Sequence, residues 1–218
     1  SKKDVIKASI MHEHKPEYAT ILAFDVPLTD EGAKFAKELN VKVFTAEIIY
    51  HLFDKFTAYM AEVRKVQQEA AALTAVFPCV CEISSPEHVW CRGGGGDPIL
   101  VGMTVKEGTL RRGTPLCVER KGQKDPNTGL QAYLDIGRVS SLEINRKPVD
   151  VAKQGQSASV KIDAVTSIAF GRQFDHTYPL YSRVTRRSID ALKEFFREEC
   201  DRSDWDLLVR MKKMYGVI

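Results

Sequence analysis

The chain has 218 residues, with 32 basic against 29 acidic side chains and a formal charge of +3, which leaves room for one or two domains. A hydrophobic fraction of 44% with 28% charged residues excludes a mainly disordered chain, and no apolar run of membrane-spanning length occurs. Five cysteines without a Cys-x-x-Cys pair argue against a secreted disulfide framework and point to a cytosolic protein, and charge stays near neutral along the chain, without a polybasic nucleic-acid tail.

Ala19-Thr-Ile-Leu-Ala-Phe-Asp-Val26 is an apolar run of strand length, closed by Pro27. Thr29-Asp30-Glu31 is a helix-start signal, followed by a short polar helix over Glu31–Leu39 and a second strand over Val41–Thr45. Strand, helix and strand with short turns make a βαβ unit with parallel strands. Two strands are few for a sheet covered on both faces, so further strands are expected upstream of Ser1, and a chain beginning with Ser rather than Met reads as part of something longer. Residues 1–45 are therefore expected to form a partial α/β/α domain.

Residues 46–73 contain neither Gly nor Pro, and Ile48, Ile49, Leu52, Phe53, Phe56, Tyr59, Met60 and Val63 fall on helical spacing. Beyond Arg64 the segment is polar but strongly helix-forming. One helix of roughly 40 Å is predicted, packed at its start and wet at its end, which reads as a spacer between domains.

Residues 74–182 change character. Val76–Ile83, Ile99–Val105, Pro115–Val118, Ile136–Val139, Ser141–Ile144 and Ala158–Ile162 are strand-like runs separated by Gly and Asn turns, the pattern of a closed antiparallel barrel. Residues 183–218 return to helix as a hairpin. Ser188 is read as the cap of a helix to Cys200, and Ser203-Asp-Trp-Asp206 has capping-box spacing before a helix to Met214.

Arg92-Gly-Gly-Gly-Gly-Asp-Pro98 lacks the Gly-Lys-Ser/Thr of a phosphate loop, and Asp97-Pro98 adds a negative charge and removes a donor. Cys79, Cys81, His88 and Cys91 are the candidate metal ligands, but two thiols separated by one residue suit a strand facing a core better than a zinc knuckle. The five histidines are dispersed, and no nucleophile elbow is present, so no enzyme active site is expected. Phe170-Gly-Arg-Gln-Phe-Asp-His176 admits two readings: a guanidinium between aromatic rings suits an RNA end, or the rings plug the barrel while Arg172 is solvated. Phe195, Phe196, Trp205 and Leu208, beside Arg197, Arg210, Lys212 and Lys213, form either an apolar groove with a basic rim for an acidic peptide or plain packing on the barrel. The residues alone leave open a protein-binding module without RNA contact.

Ile10-Met11, Ala23–Val26 and Val43–Asp54 resemble the third domain of the eukaryotic translation initiation factor 5B family, relatives of bacterial initiation factor 2. Val105–Val118, with the Glu107…Gly113 turn pattern of translational-GTPase barrels, Gly137–Asn145 and Val149–Gln156 resemble its fourth domain. Phe170-Gly-Arg172, Arg187–Lys193 and Ser203-Asp-Trp205 resemble its end. The resemblance implies the effector part of a ribosome-dependent GTPase that joins ribosomal subunits, a cytoplasmic monomer whose GTP and Mg²⁺ belong to a domain not in this sequence. It implies that the barrel holds the acceptor end of initiator methionyl-tRNA through Gly171 and Arg172, with Arg92, Gly93 and Arg146 as neighbours and Arg138 and Lys161 as further basic positions. It implies that the hairpin accepts the acidic tail of initiation factor 1A on Phe196, Trp205, Leu208 and Lys212. Gly93–Gly96 and Asp125–Gly129 are longer than the family pattern.

Overall fold

The computed structural model describes residues 1–94, 97–126, 129–165 and 167–217. Gly95 and Gly96 of the glycine run and Asn127 and Thr128 of the insertion lie outside the described residues. The chain folds as two compact units, Ser1–Glu69 and Ala70–Ile218.

The first unit opens with a helix absent from the sequence reading, α1 (Lys2–Ser9), and two short 3-10 segments. The βαβ unit follows as β1 (Thr20–Phe24), α2 (Asp30–Glu38) and β2 (Lys42–Ala46), each within about one residue of its expected start. The strands pair in parallel from Thr20↔Lys42 to Phe24↔Ala46. The Thr29 hydroxyl accepts from the Gly32 amide at 3.2 Å, and Asp30 and Glu31 in the first turn favour the helix dipole. Val5, Ala36 and Val41 form the small core, so α1 supplies part of what the βαβ unit packs on.

Helix α3 (Ile49–Ala72) is continuous over 24 residues, about 36 Å of rise. Leu52 is buried, and Phe44 meets Phe56 and Tyr59 at ring-centroid distances of 6.2 and 5.4 Å. The expected apolar stripe is narrower than the sequence suggests: Ile48, Ile49 and Phe53 are exposed. At the far end Ala71 packs into the core of the second unit.

That second unit is a closed antiparallel barrel. Its strands are β3 (Cys79–Ile83), β4 (Val89–Gly94), β5 (Asp97–Arg111), β6 (Pro115–Lys124), β7 (Gln131–Ile144), β8 (Lys147–Val149), β9 (Val151–Lys153), β10 (Ser157–Ala164) and β11 (Leu180–Ser182). Six of them close the circuit β10-β5-β3-β11-β6-β7 and back to β10. The two runs expected over 136–144 are one strand, β7, whose pairing with β10 shifts at a bulge between Lys161 and Ile162. Ile99, Val101, Met103, Val105, Ile136, Val160 and Ile162 are fully enclosed by the barrel. Their alternation along β5 and β10 leaves the even positions of β5 and the odd positions of β10 on the outer face.

The hairpin comprises α4 (Arg186–Phe195), a 3-10 turn, and α5 (Arg202–Met214). Both helices start earlier than their sequence caps suggest. Thr185 caps α4, exchanging hydrogen bonds with Ser188, which sits one turn inside. The Asp201 amide donates to Asp204 at 3.1 Å at the start of α5. Val76, Phe77, Ile189, Leu192, Phe196, Leu207, Leu208 and Met211 form a second core between the hairpin and the barrel. The Tyr215 hydroxyl donates to the Ser182 carbonyl at 3.0 Å, Arg210 pairs with Glu107, and Arg111 lies 3.5 Å over the Phe77 ring while pairing with Glu199 at 2.7 Å.

Candidate functional site

The loop Ala169–Phe174 and strand β4 form one edge of the barrel. The Phe170 amide donates to the Arg92 carbonyl at 2.7 Å, and Gly93 bridges Ala169. Gly93 adopts φ +74°, and a Cβ there would stand 2.6 Å from Ile99 Cγ1, so only glycine fits this crossing. Gly171 also has positive φ, +84°, but nothing lies within 4 Å of a Cβ placed on it, so the turn tip faces open space. Gln173 ties the loop down from within: the Ala169 amide donates to its Oε1 at 2.9 Å. Thr177 donates from both amide and hydroxyl to Asp175 Oδ1, and these bonds hold that carboxyl below its usual range.

The two readings of this loop now separate by residue. Phe170 and Phe174 are buried in the barrel core, edge to face at 5.5 Å, so their rings plug the barrel and are not stacking surfaces. Arg172 is exposed, as is Arg92, and among the described residues neither side chain forms an ion pair. The structure thus brings Arg92, Gly93, Gly171 and Arg172 to one edge. Arg146 is elsewhere: it occupies the β7–β8 turn with φ +62°, beyond the Glu143↔Ser159 pair, whereas Arg92 pairs with Ile99 opposite Ile162 at the other end of β10. On the far side of the loop, a cleft of about 280 Å³ is lined by Val118, Lys121, Leu134, Gln173 and Tyr178, with Lys121 4.4 Å over the Tyr178 ring. Lys121 lies far along the chain from Arg172, and Tyr178, two residues beyond His176, carries no local sign that its ring turns back to meet that lysine.

The hairpin residues divide the same way. Phe196 and Leu208 are 5% and 4% exposed, because the apolar faces of both helices are consumed by packing on the barrel. Trp205 and Lys212 are half-buried, Trp205 packing against the hairpin core, and Val209 between them is exposed, so these three run along one flank of α5 beside its buried face. Phe196 does reach one cleft of about 510 Å³, floored by Phe77, Phe196 and Val151 and rimmed by Arg111, Arg112 and Arg138. Aromatic floor and guanidinium rim are the groove chemistry expected of the hairpin, displaced to the junction of hairpin, β5 and the segment after α3.

Of the candidate metal ligands, Cys79 and Cys81 face the barrel core with no exposed surface. The contact with Cys79 and its own burial push the Cys81 thiol well up, which disfavours the thiolate that a metal would need. His88 lies outside on the Ser85–His88 turn. Among the described residues no group of three or more metal-ligating side chains converges.

The closed barrel of the second unit is matched by a translation-factor domain. Residues 86–181 match the family model of elongation factor Tu domain 4, and residues 1–57 match that of translation-initiation factor 2. Over its full length the chain is 46% identical to eukaryotic translation initiation factor 5B of Homo sapiens, and over 99% of its length 41% identical to that of Saccharomyces cerevisiae. It belongs to the eukaryotic translation initiation factor 5B family. The chain spans 17% and 21% of the length of those two relatives. Its fold is also that of GDP-bound aIF5B from Aeropyrum pernix, with a TM-score of 0.51 at 23% identity, covering 98% of this chain and 33% of that one.

Proposed function

We propose that this chain is an effector region of a translation initiation GTPase that promotes ribosomal subunit joining. In this reading the barrel edge formed by Arg92, Gly93, Gly171 and Arg172 takes the acceptor end of initiator methionyl-tRNA. The observation that carries it is the pair of exposed arginines, free of ion pairs among the described residues, Arg92 on strand β4 and Arg172 on a turn whose backbone is fixed by Gln173 and by the Arg92 carbonyl. Guanidinium groups held on a rigid turn pair with phosphates at little entropic cost. Arg146 joins only if the RNA extends along β10.

The hairpin side accepts an acidic tail, that of initiation factor 1A in this family, with Trp205 and Lys212 as surface contacts and Phe196 reached through the arginine-rimmed cleft. GTP and Mg²⁺ are assigned to another domain of the whole protein, since the sequence has no Gly-x₄-Gly-Lys-Ser/Thr string, and this region itself turns nothing over. The continuous helix α3 carries displacement from the nucleotide-sensing side toward the barrel, acting in the cytoplasm as a monomer on the ribosome.

The test is titration of the chain with aminoacylated initiator tRNA and, separately, with an acidic tail peptide. Arg172→Ala is expected to weaken tRNA binding and to lower the salt slope by about one unit, leaving peptide binding unchanged. Unchanged tRNA affinity across the salt range removes Arg172 from the site. Peptide binding with no tRNA binding by the unaltered chain would establish a protein-binding module instead.

A further inference from the structure

Strand β4 carries an alternation that the tRNA-end reading does not use. Val89 packs toward the barrel core and Cys91 is half-buried, whereas Trp90, at the bulge where the pairing with β5 shifts between Val89 and Cys91, is exposed, as are Arg92 and His88 at the end of the preceding turn. Trp90 is 54% exposed. It is not a loose side chain: it lies beside Gly102 of β5, where a Cβ would stand 3.5 Å from the far edge of the indole and 3.0 Å from His88 Cβ. His88 meets the indole edge-on at 6.3 Å and 75°, and is itself held by Ser85, whose hydroxyl lies 2.9 Å from Nδ1. The absent side chain at 102 and the braced imidazole fix a large ring against the sheet with more than half of its surface in solvent.

The neighbours of that ring decide what it suits. The next strand places Ser159 opposite Gly102 and Lys161 opposite Leu100, both on the outer face. Arg92 is the next exposed residue along β4, opposite Ile99, and its carbonyl anchors the Phe170 amide, so the ring's surroundings run on to the Arg172 edge. Among the described residues neither Lys161 nor Arg92 forms an ion pair. Among the acids around this face, Asp163 stands beyond Lys161 on β10, Asp97 lies at the start of β5, and Glu143, opposite Ser159 on β7, is one strand further from the ring. An aromatic anchor for a protein partner is ordinarily ringed by apolar contacts; here Leu100 is the apolar neighbour, and the rest of the surround is glycine, hydroxyl, imidazole and two cations without ion pairs among the described residues. That is the composition of a base-stacking platform with phosphate contacts on either side.

We infer that Trp90 stacks one unpaired nucleobase of an RNA end, with Arg92 and Lys161 taking the flanking phosphates. The inference rests on the reading that this barrel edge binds RNA and adds the surface that holds a base, which Phe170 and Phe174 cannot supply because their rings are buried.

The test uses the whole chain and two RNA probes, a stem with a short single-stranded 3′ extension and the same stem blunt-ended. Trp90→Ala is expected to weaken binding of the extended RNA by about tenfold or more, to leave the blunt stem unchanged, and to be largely rescued by Trp90→Tyr. In a Trp205→Phe background the remaining tryptophan fluorescence is expected to quench on binding the extended RNA only. If Arg172→Ala weakens binding and Trp90→Ala does not, the edge binds RNA and the platform is refuted. Equal losses on both probes also refute it. If the unaltered chain binds neither probe, the RNA reading of the edge falls and the platform with it.

Discussion

Phe174→Ala tests the division of labour within the loop. Phe174 is 3% exposed, packs in the barrel core and meets Phe170 edge to face at 5.5 Å. Truncation removes the buried ring and opens a cavity whose lining is held in place by the closed sheet, at a cost of about 3–5 kcal/mol. That is a large part of the roughly 5–15 kcal/mol that holds a domain folded. Arg172, two residues away and exposed, should cost within about 0.5 kcal/mol on change to Ala. Both tryptophans belong to the second unit, so urea unfolding followed by tryptophan fluorescence reports on the barrel and its hairpin. The expected result is a strongly lowered midpoint for Phe174→Ala and a near-native one for Arg172→Ala, with RNA affinity affected in the opposite order once measured well below the unfolding transition. A stable Phe174→Ala variant that has lost RNA affinity would show that the ring is a contact and not a plug.

Gly93→Ala should destabilise the second unit by about 2 kcal/mol or more and lower its urea midpoint accordingly, since it forces a left-handed conformation and drives a methyl into Ile99; an unchanged midpoint would mean that the β4 crossing relaxes freely. Asp204 is buried, and burial raises its carboxyl above 3.8. Its contribution to stability is then full below the unfolded-state value and is lost as pH rises through the raised folded value. Asp204→Asn keeps an acceptor for the Asp201 amide, so its stability should gain on that of the parent chain as pH rises through the carboxylate range; parallel pH curves would contradict this. Gln68→Pro removes a helical donor and clashes with the preceding turn, costing about 3 kcal/mol locally. Helix content is expected to fall while the fluorescence-detected unfolding of the second unit stays put, and subunit joining by the whole protein to slow; normal joining would refute transmission through α3.

Much of this architecture was readable because the controlling signals are local. The βαβ unit announces itself through an apolar run, a Thr-Asp-Glu start and a short return, and α3 through an uninterrupted helix-forming stretch. Helix α1 escaped because it buries only Val5 and carries mostly polar residues, so its reason for existing is tertiary. Caps at Thr185 and Asp201 were misplaced by a few residues because Ser188 and Ser203 are equally good cap types, and only the geometry shows which one sits at the boundary. The aromatic residues were hardest. Nothing in Phe-Gly-Arg-Gln-Phe says which way a ring turns, and the closed barrel decides it. Phe196 and Leu208 went inward for the same reason: two short helices have little apolar surface to spare. Trp90 had a legible signal, the alternation His88-Val-Trp90-Cys-Arg92, masked by the glycine run that follows it.

The most direct measurement of the central claim is hydrogen–deuterium exchange of the chain with and without aminoacylated initiator tRNA. Slowed exchange is expected at Cys91–Gly94 and Ala169–Gln173, where the β4 crossing and the Arg172 turn meet. Slowing confined to Arg186–Met214, or exchange unaltered at saturating tRNA, would contradict the account.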